Sequence, residues 1–182
     1  MDFHSVGEIY DHIDVTRERL RRSVEGLSDE QQHFRPAPDR WSVAQLCEHL
    51  SIVEGNVVGL LGKLLDKAEE SGAARDGGYP LAPVSIGEFV ERSRGVKFEA
   101  PERIRPGDAP VLADSLAALD TSRAALRALR PRIERADGRA LRFPHPAWGP
   151  LDLYQWLLFV AAHESRHLAQ IEALKEAMNA ER

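Results

Sequence analysis

The sequence predicts an all-α protein, a four-helix bundle, and three observations support this. Four long segments place apolar residues three or four positions apart, the spacing that puts them on one face of a helix. Capping-box patterns stand at the start of two of these segments, and no segment alternates apolar and polar residues convincingly, as a half-buried strand would. The 182 residues fit one domain, which we expect to cover 1–182.

The first two helices are predicted from an apolar stripe and from caps. The first covers about residues 5–26, and Gly26 is a suitable stop signal. The second opens at Ser42, where S-V-A-Q has the form of a capping box. The serine hydroxyl accepts from a free backbone amide, and Gln45 reaches back to the start of the helix. Apolar residues then follow at every third or fourth position as far as Leu64.

The other two helices are predicted in the same way. The third runs from Pro110 to Arg130, with Asp108 as a suitable cap. Pro131 is expected to end it, because proline lacks the backbone donor that a helix needs. The fourth opens at Asp152, again three residues ahead of a glutamine, Gln155.

A long connection separates the second helix from the third. Residues 71–108 are rich in Gly and Pro, and a short helix over about 85–94 fits inside them. Such a length is unusual in a compact bundle and indicates a functional flap or an overhand crossover, in which case helices two and three are parallel. A second irregular loop is predicted over 132–149.

Charge and composition exclude several classes of protein. The net charge is −5, with 24 basic and 29 acidic side chains, which argues against a nucleic-acid-binding protein. The first helix contains a cluster of four arginines, Arg17, Arg19, Arg21 and Arg22. Glu18 interrupts this cluster, which is interpreted as solvated surface. The longest apolar run, 156–162, is far shorter than the roughly 20 residues of a membrane span. With one cysteine, Cys47, and no secretory pattern in the opening residues, we expect a cytoplasmic protein.

Three histidines occupy positions on apolar stripes where Leu or Ile would otherwise stand. His163 and His167 are four residues apart and so share one helix face, and His49 on a neighbouring helix can complete the set. A single histidine on an apolar face is more often bonded to a backbone carbonyl. Burying three unpaired imidazoles would cost on the order of a few kcal/mol each. A shared cation satisfies all three rings, so the pattern predicts one divalent metal ion.

The same residues also match a protease motif. H-E-S-R-H at 163–167 has the H-E-x-x-H form of zinc proteases. The metzincin extension of that motif is missing, because Gln170 and Ala173 stand where Gly and His are required. No upstream segment resembles an edge strand that would align a peptide. The sequence therefore disfavours a protease.

Other side chains near the histidines have open roles. Glu164 is assigned to catalysis, with four roles open: a fourth ligand, a general base, an orienting residue, or a surface carboxylate paired with a neighbouring basic residue. Gln170 either bonds a ligand or a bound water or packs at the edge of the stripe. His145 and Trp148, just before the fourth helix, either overhang the site or are structural aromatic residues of a turn.

Three pieces of the sequence together resemble the DinB/YfiT-like superfamily of metal-dependent enzymes. They are R-W-S-V-A-Q-L-C-E-H-L at 40–50, A-P-E-R-I-R-P at 100–106, and the run 145–171, which includes H-P-A-W-G and H-E-S-R-H. The resemblance implies a four-helix bundle with up-down-down-up connectivity, which suits the long crossover. It also implies one divalent ion, zinc, nickel or iron, held by His49, His163 and His167, and pairing into homodimers.

The expected activity follows from the open coordination of such a site. Three protein ligands leave at least one position for a water or a substrate. A water there would become acidic enough to act as a nucleophile in hydrolysis, and a small thiol would be held as thiolate. The resemblance implies transferases and isomerases that use low-molecular-weight thiols such as bacillithiol or mycothiol. We therefore expect a metal-dependent enzyme of that type acting on a small molecule. The alternatives are a metal-dependent hydrolase and a non-catalytic, metal-stabilised interaction module.

Overall fold

The computed structural model describes residues 2–72, 81–93 and 99–180. Its helices are α1 Val6–Val24, α2 Asp29–His33, α3 Val43–Glu70, α4 Gly87–Ser93, α5 Leu112–Arg135 and α6 Leu153–Ala180, with a 3₁₀ turn at Glu102–Ile104. Two strands, β1 Arg142–His145 and β2 Gly149–Asp152, form an antiparallel hairpin. None of the helices in the described ranges is long and apolar enough to cross a membrane. The predicted all-α bundle is confirmed.

Both predicted capping boxes are present. The Ser42 hydroxyl accepts from the Gln45 amide, and the Gln45 side chain accepts from the Ser42 amide. Asp152 and Gln155 exchange the same pair of hydrogen bonds, at 2.9 and 3.0 Å, immediately before α6. These local bonds explain why two of the long helices begin where the sequence predicts.

The start of the third long helix was predicted wrongly. Helix α5 begins at Leu112, and its N-cap residue, Val111, makes no side-chain capping bond. Asp108 lies farther back, where its carbonyl accepts from Gln45 of α3. Contacts with α3 therefore fix this part of the chain, and a local cap does not.

The predicted end of the same helix was also wrong, because Pro131 lies inside α5. An internal proline costs about 3 kcal/mol. The residues beyond it make contacts that offset this cost: Ile133 is fully buried, and Arg132 forms ion pairs with Asp66 and Glu69 of α3. Packing between helices thus overrides the local preference.

The predicted irregular loop over 132–149 contains regular structure. Its first residues belong to α5, and β1 and β2 pair from Arg142 opposite Asp152 to His145 opposite Gly149. The strands are four residues long, too short for an alternating pattern to be recognised. Helix α2 was likewise not predicted. The predicted short helix over 85–94 corresponds to α4, and residues 73–80 and 94–98 of the crossover lie outside the described residues.

Contacts between helices give their directions. Along α3 and α5 the paired residue numbers rise together, as in Glu54 with Arg123 and Asp66 with Arg132, so these helices are parallel. They also rise together along α1 and α6, in Arg17 with Glu164 and Ser23 with Lys175. Along α1 and α5 the paired residue numbers run in opposite order, as in Tyr10 with Leu126 and Arg17 with Leu119, so these two helices are antiparallel. The connectivity is therefore up-down-down-up, and the crossover must return along the bundle.

The core consists of two apolar clusters separated by a polar layer. Along α1, Ile13 belongs to one cluster and Leu20 to the other, with Arg17 between them. The same order holds along α5, where Arg123 lies between Leu119 and Leu126. The prediction that Arg17 is solvated surface is wrong, since this side chain is 6% exposed. Buried polar groups therefore occupy one level of the bundle.

Candidate metal centre

Helices α3 and α6 bring the three predicted histidines together at this polar level. His49 lies in the second turn of α3, and His163 and His167 lie one turn apart on α6. One nitrogen atom from each ring lies within 4.8 Å of the other two. Nε2 of His163 is 3.3 Å from Nε2 of His49 and 3.2 Å from Nε2 of His167.

The outer nitrogens of two rings are already used. His49 Nδ1 donates to the Ile104 carbonyl oxygen at 2.7 Å, and His167 Nδ1 donates to Gln170 Oε1 at 2.7 Å. A neutral imidazole carries one proton, so Nε2 of both rings is an acceptor. His163 Nε2 can donate to only one of them. The Nε2 lone pair of the remaining ring then has no donor. A cation at the centre would satisfy the Nε2 atoms of all three rings.

The donor set and its spacing fit a divalent metal ion. Zinc binds histidine nitrogen at about 2.0–2.1 Å, which places neighbouring ligands of a tetrahedron roughly 3.3–3.4 Å apart. Two of the three separations, from His163 Nε2 to the Nε2 atoms of His49 and His167, are 3.3 and 3.2 Å and so are close to that value. Imidazole ligands suit zinc, nickel and iron alike. The outer bonds to Ile104 and Gln170 are of the kind that fix the tautomer of a ligand.

The surroundings keep the three imidazoles neutral. Loss of hydration lowers the pKa of His49, and it lowers the pKa of His163 well below the usual range. Loss of hydration and the neighbouring His49 together lower the pKa of His167 to about 3. A neutral imidazole is the form that binds a metal ion, so the rings are ready to act as ligands.

Glu164 lies beside the cluster but has other partners. The residue is 1% exposed, and its two carboxylate oxygens accept from Arg17 and Arg123. Glu164 is therefore buried, and the alternative in which it is a surface carboxylate is wrong. Its oxygens are not among the atoms that converge within 4.8 Å. These contacts indicate a structural role, and the assignment of Glu164 to catalysis stays a prediction.

The hairpin reaches the cluster through aromatic rings. His145 stacks on Trp148 with ring centroids 4.8 Å apart and lies 4.9 Å from Phe159, whose ring stacks on His163 at 5.1 Å. His145 Nδ1 accepts from the backbone amides of Ala147 and Trp148. The predicted structural role in the turn is therefore present, and Phe159 connects these rings to His163.

Two features of the site were not predicted. The first is the Ile104 carbonyl, supplied by the crossover; the run A-P-E-R-I-R-P around it predicts only the family resemblance. The second is a void of about 10 Å³ beside His163, lined also by Glu54, Glu164 and Phe159 among others, which has room for about one water molecule.

Known proteins resemble this chain over most of its length. The Bacillus subtilis (strain 168) protein YuaE, described as uncharacterized, is 26% identical over 155 residues, which cover 84% of this chain and 88% of YuaE. The crystal structure of TT2238, a four-helix bundle protein, matches with a TM-score of 0.59 and 21% identity, over 93% of this chain and 99% of TT2238.

A second solved structure is that of YfiT from Bacillus subtilis, described as a probable metal-dependent hydrolase with an unusual four-helix bundle topology. It matches with a TM-score of 0.63 and 18% identity, over 95% of this chain and 87% of YfiT. At such identities the two structures support the fold alone. The family model of the DinB superfamily, however, matches residues 12–171. Because that range covers most of the sequence, the chain belongs to the DinB superfamily.

Proposed function

We propose that this protein binds one divalent metal ion, zinc, nickel or iron, through His49, His163 and His167. We further propose that it is a metal-dependent enzyme acting with a low-molecular-weight thiol, as an S-transferase or isomerase. One observation carries the proposal: the Nε2 atom of His163 lies 3.3 and 3.2 Å from those of His49 and His167, and one nitrogen of each ring lies within 4.8 Å of the other two. Three protein ligands leave a position for a molecule from solution, which is the arrangement of catalytic sites.

The residues around the cluster would support this chemistry. When bound, the ion lowers the pKa of a coordinated thiol or water. The Ile104 carbonyl and Gln170 hold the protons of His49 and His167 at Nδ1, on the outer side of each ring. Phe159 covers His163 by stacking and so excludes water from that side of the ring.

A metal-dependent hydrolase is the second candidate. The description of YfiT as a probable metal-dependent hydrolase favours it, since that protein shares the fold. In this case the molecule from solution is water and the attack is hydrolytic. A third candidate is a non-catalytic module in which the ion stabilises the bundle, and the small size of the void beside His163 favours it.

Elemental analysis of untagged protein tests the metal site. We expect nearly one metal ion per chain in the wild type and almost none in His163→Ala. His4→Ala is the matched control, because His4 is exposed and lies outside the cluster. It should retain the metal of the wild type. Equal metal content in wild type and His163→Ala would remove the site, and the enzyme proposal with it.

A thermal-shift experiment distinguishes the candidates. Metal-loaded protein is heated with bacillithiol, mycothiol and other cellular thiols, and with S-methylated forms of the same molecules as controls. A thiol transferase should be stabilised by one thiol and not by its methylated form, because a ligand that binds the folded state raises the melting temperature. A protein that shows no preference among thiols is not the proposed transferase and is then assayed as a hydrolase.

We also propose a homodimer that acts on a small molecule in the cytoplasm and binds neither nucleic acid nor membrane. The acidic charge balance supports the absence of nucleic-acid binding. Light scattering on a sizing column measures the mass directly, and a mass near the 20.3 kDa of one chain would contradict the dimer.

A further inference from the structure

One face of α3 holds the crossover as well as the metal centre. Gln45, Glu48 and His49 are spaced i, i+3 and i+4, so their side chains share that face. All three bond to the crossover segment, defined here as residues 102–108. This segment also contains the 3₁₀ turn Glu102–Ile104.

Glu48 makes the shortest of these bonds. Its Oε2 atom accepts from the Gly107 backbone amide at 2.6 Å. Gln45 adds two weaker contacts, because its Nε2 donates to the carbonyl oxygens of Gly107 at 2.9 Å and Asp108 at 3.3 Å. A bond from a backbone amide to a carboxylate is charge-assisted and about twice as strong as a neutral one. Glu48 is therefore the charged attachment of this segment to α3, beside the bonds from Gln45 and His49.

The attachment matters because the segment supplies the partner of a metal ligand. The Ile104 carbonyl accepts the Nδ1 proton of His49, and it lies three residues before Gly107. Ordering a residue of a loop costs backbone conformational entropy. Without the bond from Glu48, less of that cost is offset, and the carbonyl is held less firmly against the ring.

We propose that Glu48 is a positioning residue of the metal centre. It holds the crossover segment on α3, so that the Ile104 carbonyl fixes the tautomer and the ring orientation of His49. This inference rests on the proposed metal site. It also implies the reverse effect: a metal ion bound to His49 stabilises the crossover segment, because coupling between two sites is reciprocal.

Two conservative variants separate contact from charge at this position. Glu48→Asp keeps the charge but shortens the side chain by one carbon, about 1.5 Å of reach, and loses the bond to Gly107. Glu48→Gln removes the charge but keeps an acceptor oxygen at the same distance. Glu102→Gln is the matched control, since it removes an exposed carboxylate from the same segment. Circular dichroism checks that all variants fold.

The readouts are Zn²⁺ affinity, measured against a competing chelator, and the absorption spectrum of Co²⁺-loaded protein. Loss of an outer-shell partner lowers metal affinity about 10- to 100-fold. Because Glu48 acts through Ile104, we expect about a tenfold loss in Glu48→Asp, with a changed Co²⁺ spectrum. Glu48→Gln should lower the Zn²⁺ affinity about twofold, because a neutral hydrogen bond replaces a charge-assisted one. Glu102→Gln should match the wild type.

Hydrogen exchange of the wild type gives a second test that needs no variant. Adding Zn²⁺ should slow exchange of the Gly107 amide, whereas the Gly72 amide, which bonds to the Glu69 carbonyl at the far end of α3, should not change. Equal Zn²⁺ affinity in wild type and Glu48→Asp overturns the role of Glu48 and leaves the metal site intact, as does unchanged exchange at Gly107. A wild type that binds no Zn²⁺ overturns the metal site itself, and this inference falls with it.

Discussion

Two polar clusters lie at the same level of the bundle and differ in how their hydrogen bonds close. In the first, the Arg–Glu network, Arg17 and Arg123 each bond to both Glu54 and Glu164. Two positive and two negative charges balance, and the four side chains are at most 6% exposed. In the second, the histidine cluster, three neutral rings turn the same kind of atom toward one another.

The difference shows how structure and ligand binding can be told apart in a buried polar region. The Arg–Glu network satisfies its charges within the chain, and Arg17 and Arg123 also donate to backbone carbonyls of Leu119 and Ile13. The histidine cluster satisfies its outer nitrogens and leaves an excess of lone pairs at its centre. The Arg–Glu network is therefore closed and needs no ligand from solution. The histidine cluster is open, because its centre has a place for a cation.

The largest effect is expected from breaking the closed network. Arg123→Met should lower the free energy of unfolding by on the order of 3–5 kcal/mol, because it leaves buried carboxylates without their partner. Urea denaturation measures this. Arg127→Met is the control: Arg127 is one turn farther along α5, is 60% exposed and pairs with Asp14. It should cost at most about 1 kcal/mol. Equal losses would contradict the distinction between the clusters.

The next largest effect concerns the histidine cluster and its stabilisation by a metal ion. Zn²⁺ at 100 times its dissociation constant should stabilise the wild type by about 2.7 kcal/mol, because the ion binds only the folded state. Arg127→Met should show the same gain, and His163→Leu should show none. The measurement is urea denaturation with and without Zn²⁺. A gain retained in His163→Leu would place the ion elsewhere.

A smaller effect is expected when the open cluster is made apolar without metal. His163→Leu in the metal-free protein should keep its stability within about 1 kcal/mol, because the Nε2 atom of that buried polar ring can donate to only one of the two neighbouring rings. This contrasts with the large loss expected for Arg123→Met. Denaturation in the presence of a chelator checks it. A loss of several kcal/mol would show that the histidine cluster is itself a structural network.

The smallest effect concerns Cys47, which lies two residues before His49. The thiol is fully buried, and burial raises its pKa to about 12, so thiolate is scarce at pH 7 to 9. We expect no reaction of native protein with a thiol reagent and no change in Zn²⁺ content in Cys47→Ala. Full reaction in urea is the positive control. Loss of Zn²⁺ would make the thiol a ligand, contrary to the three-histidine site.

The sequence predicted elements whose cause is local or periodic. Apolar stripes gave the four long helices, and capping boxes gave the starts of α3 and α6. It failed where contacts between distant residues decide, as at Pro131, which packing against α3 keeps inside α5. The hairpin was missed because its two strands have four residues each and no alternating pattern.

The polar layer was predicted only in part. The three histidines are recognisable in the sequence because they interrupt apolar stripes, and the structure brings them together. Arg17 and Arg123 interrupt stripes in the same way, between Ile13 and Leu20 and between Leu119 and Leu126. The same rule would have placed these two arginines inside. The role of Ile104 could not be predicted from the sequence, because every residue has a backbone carbonyl whatever its side chain.

The up-down-down-up connectivity has a consequence for folding order. Helical proteins usually fold fast because their contacts are close in sequence. Here the bond from Arg17 to Glu164 spans 147 residues, and His49 and His163 are 114 residues apart. We therefore expect slower folding than in a bundle of successive hairpins. The three imidazoles meet only when α6 docks against α3, so the complete histidine cluster exists only in the folded chain.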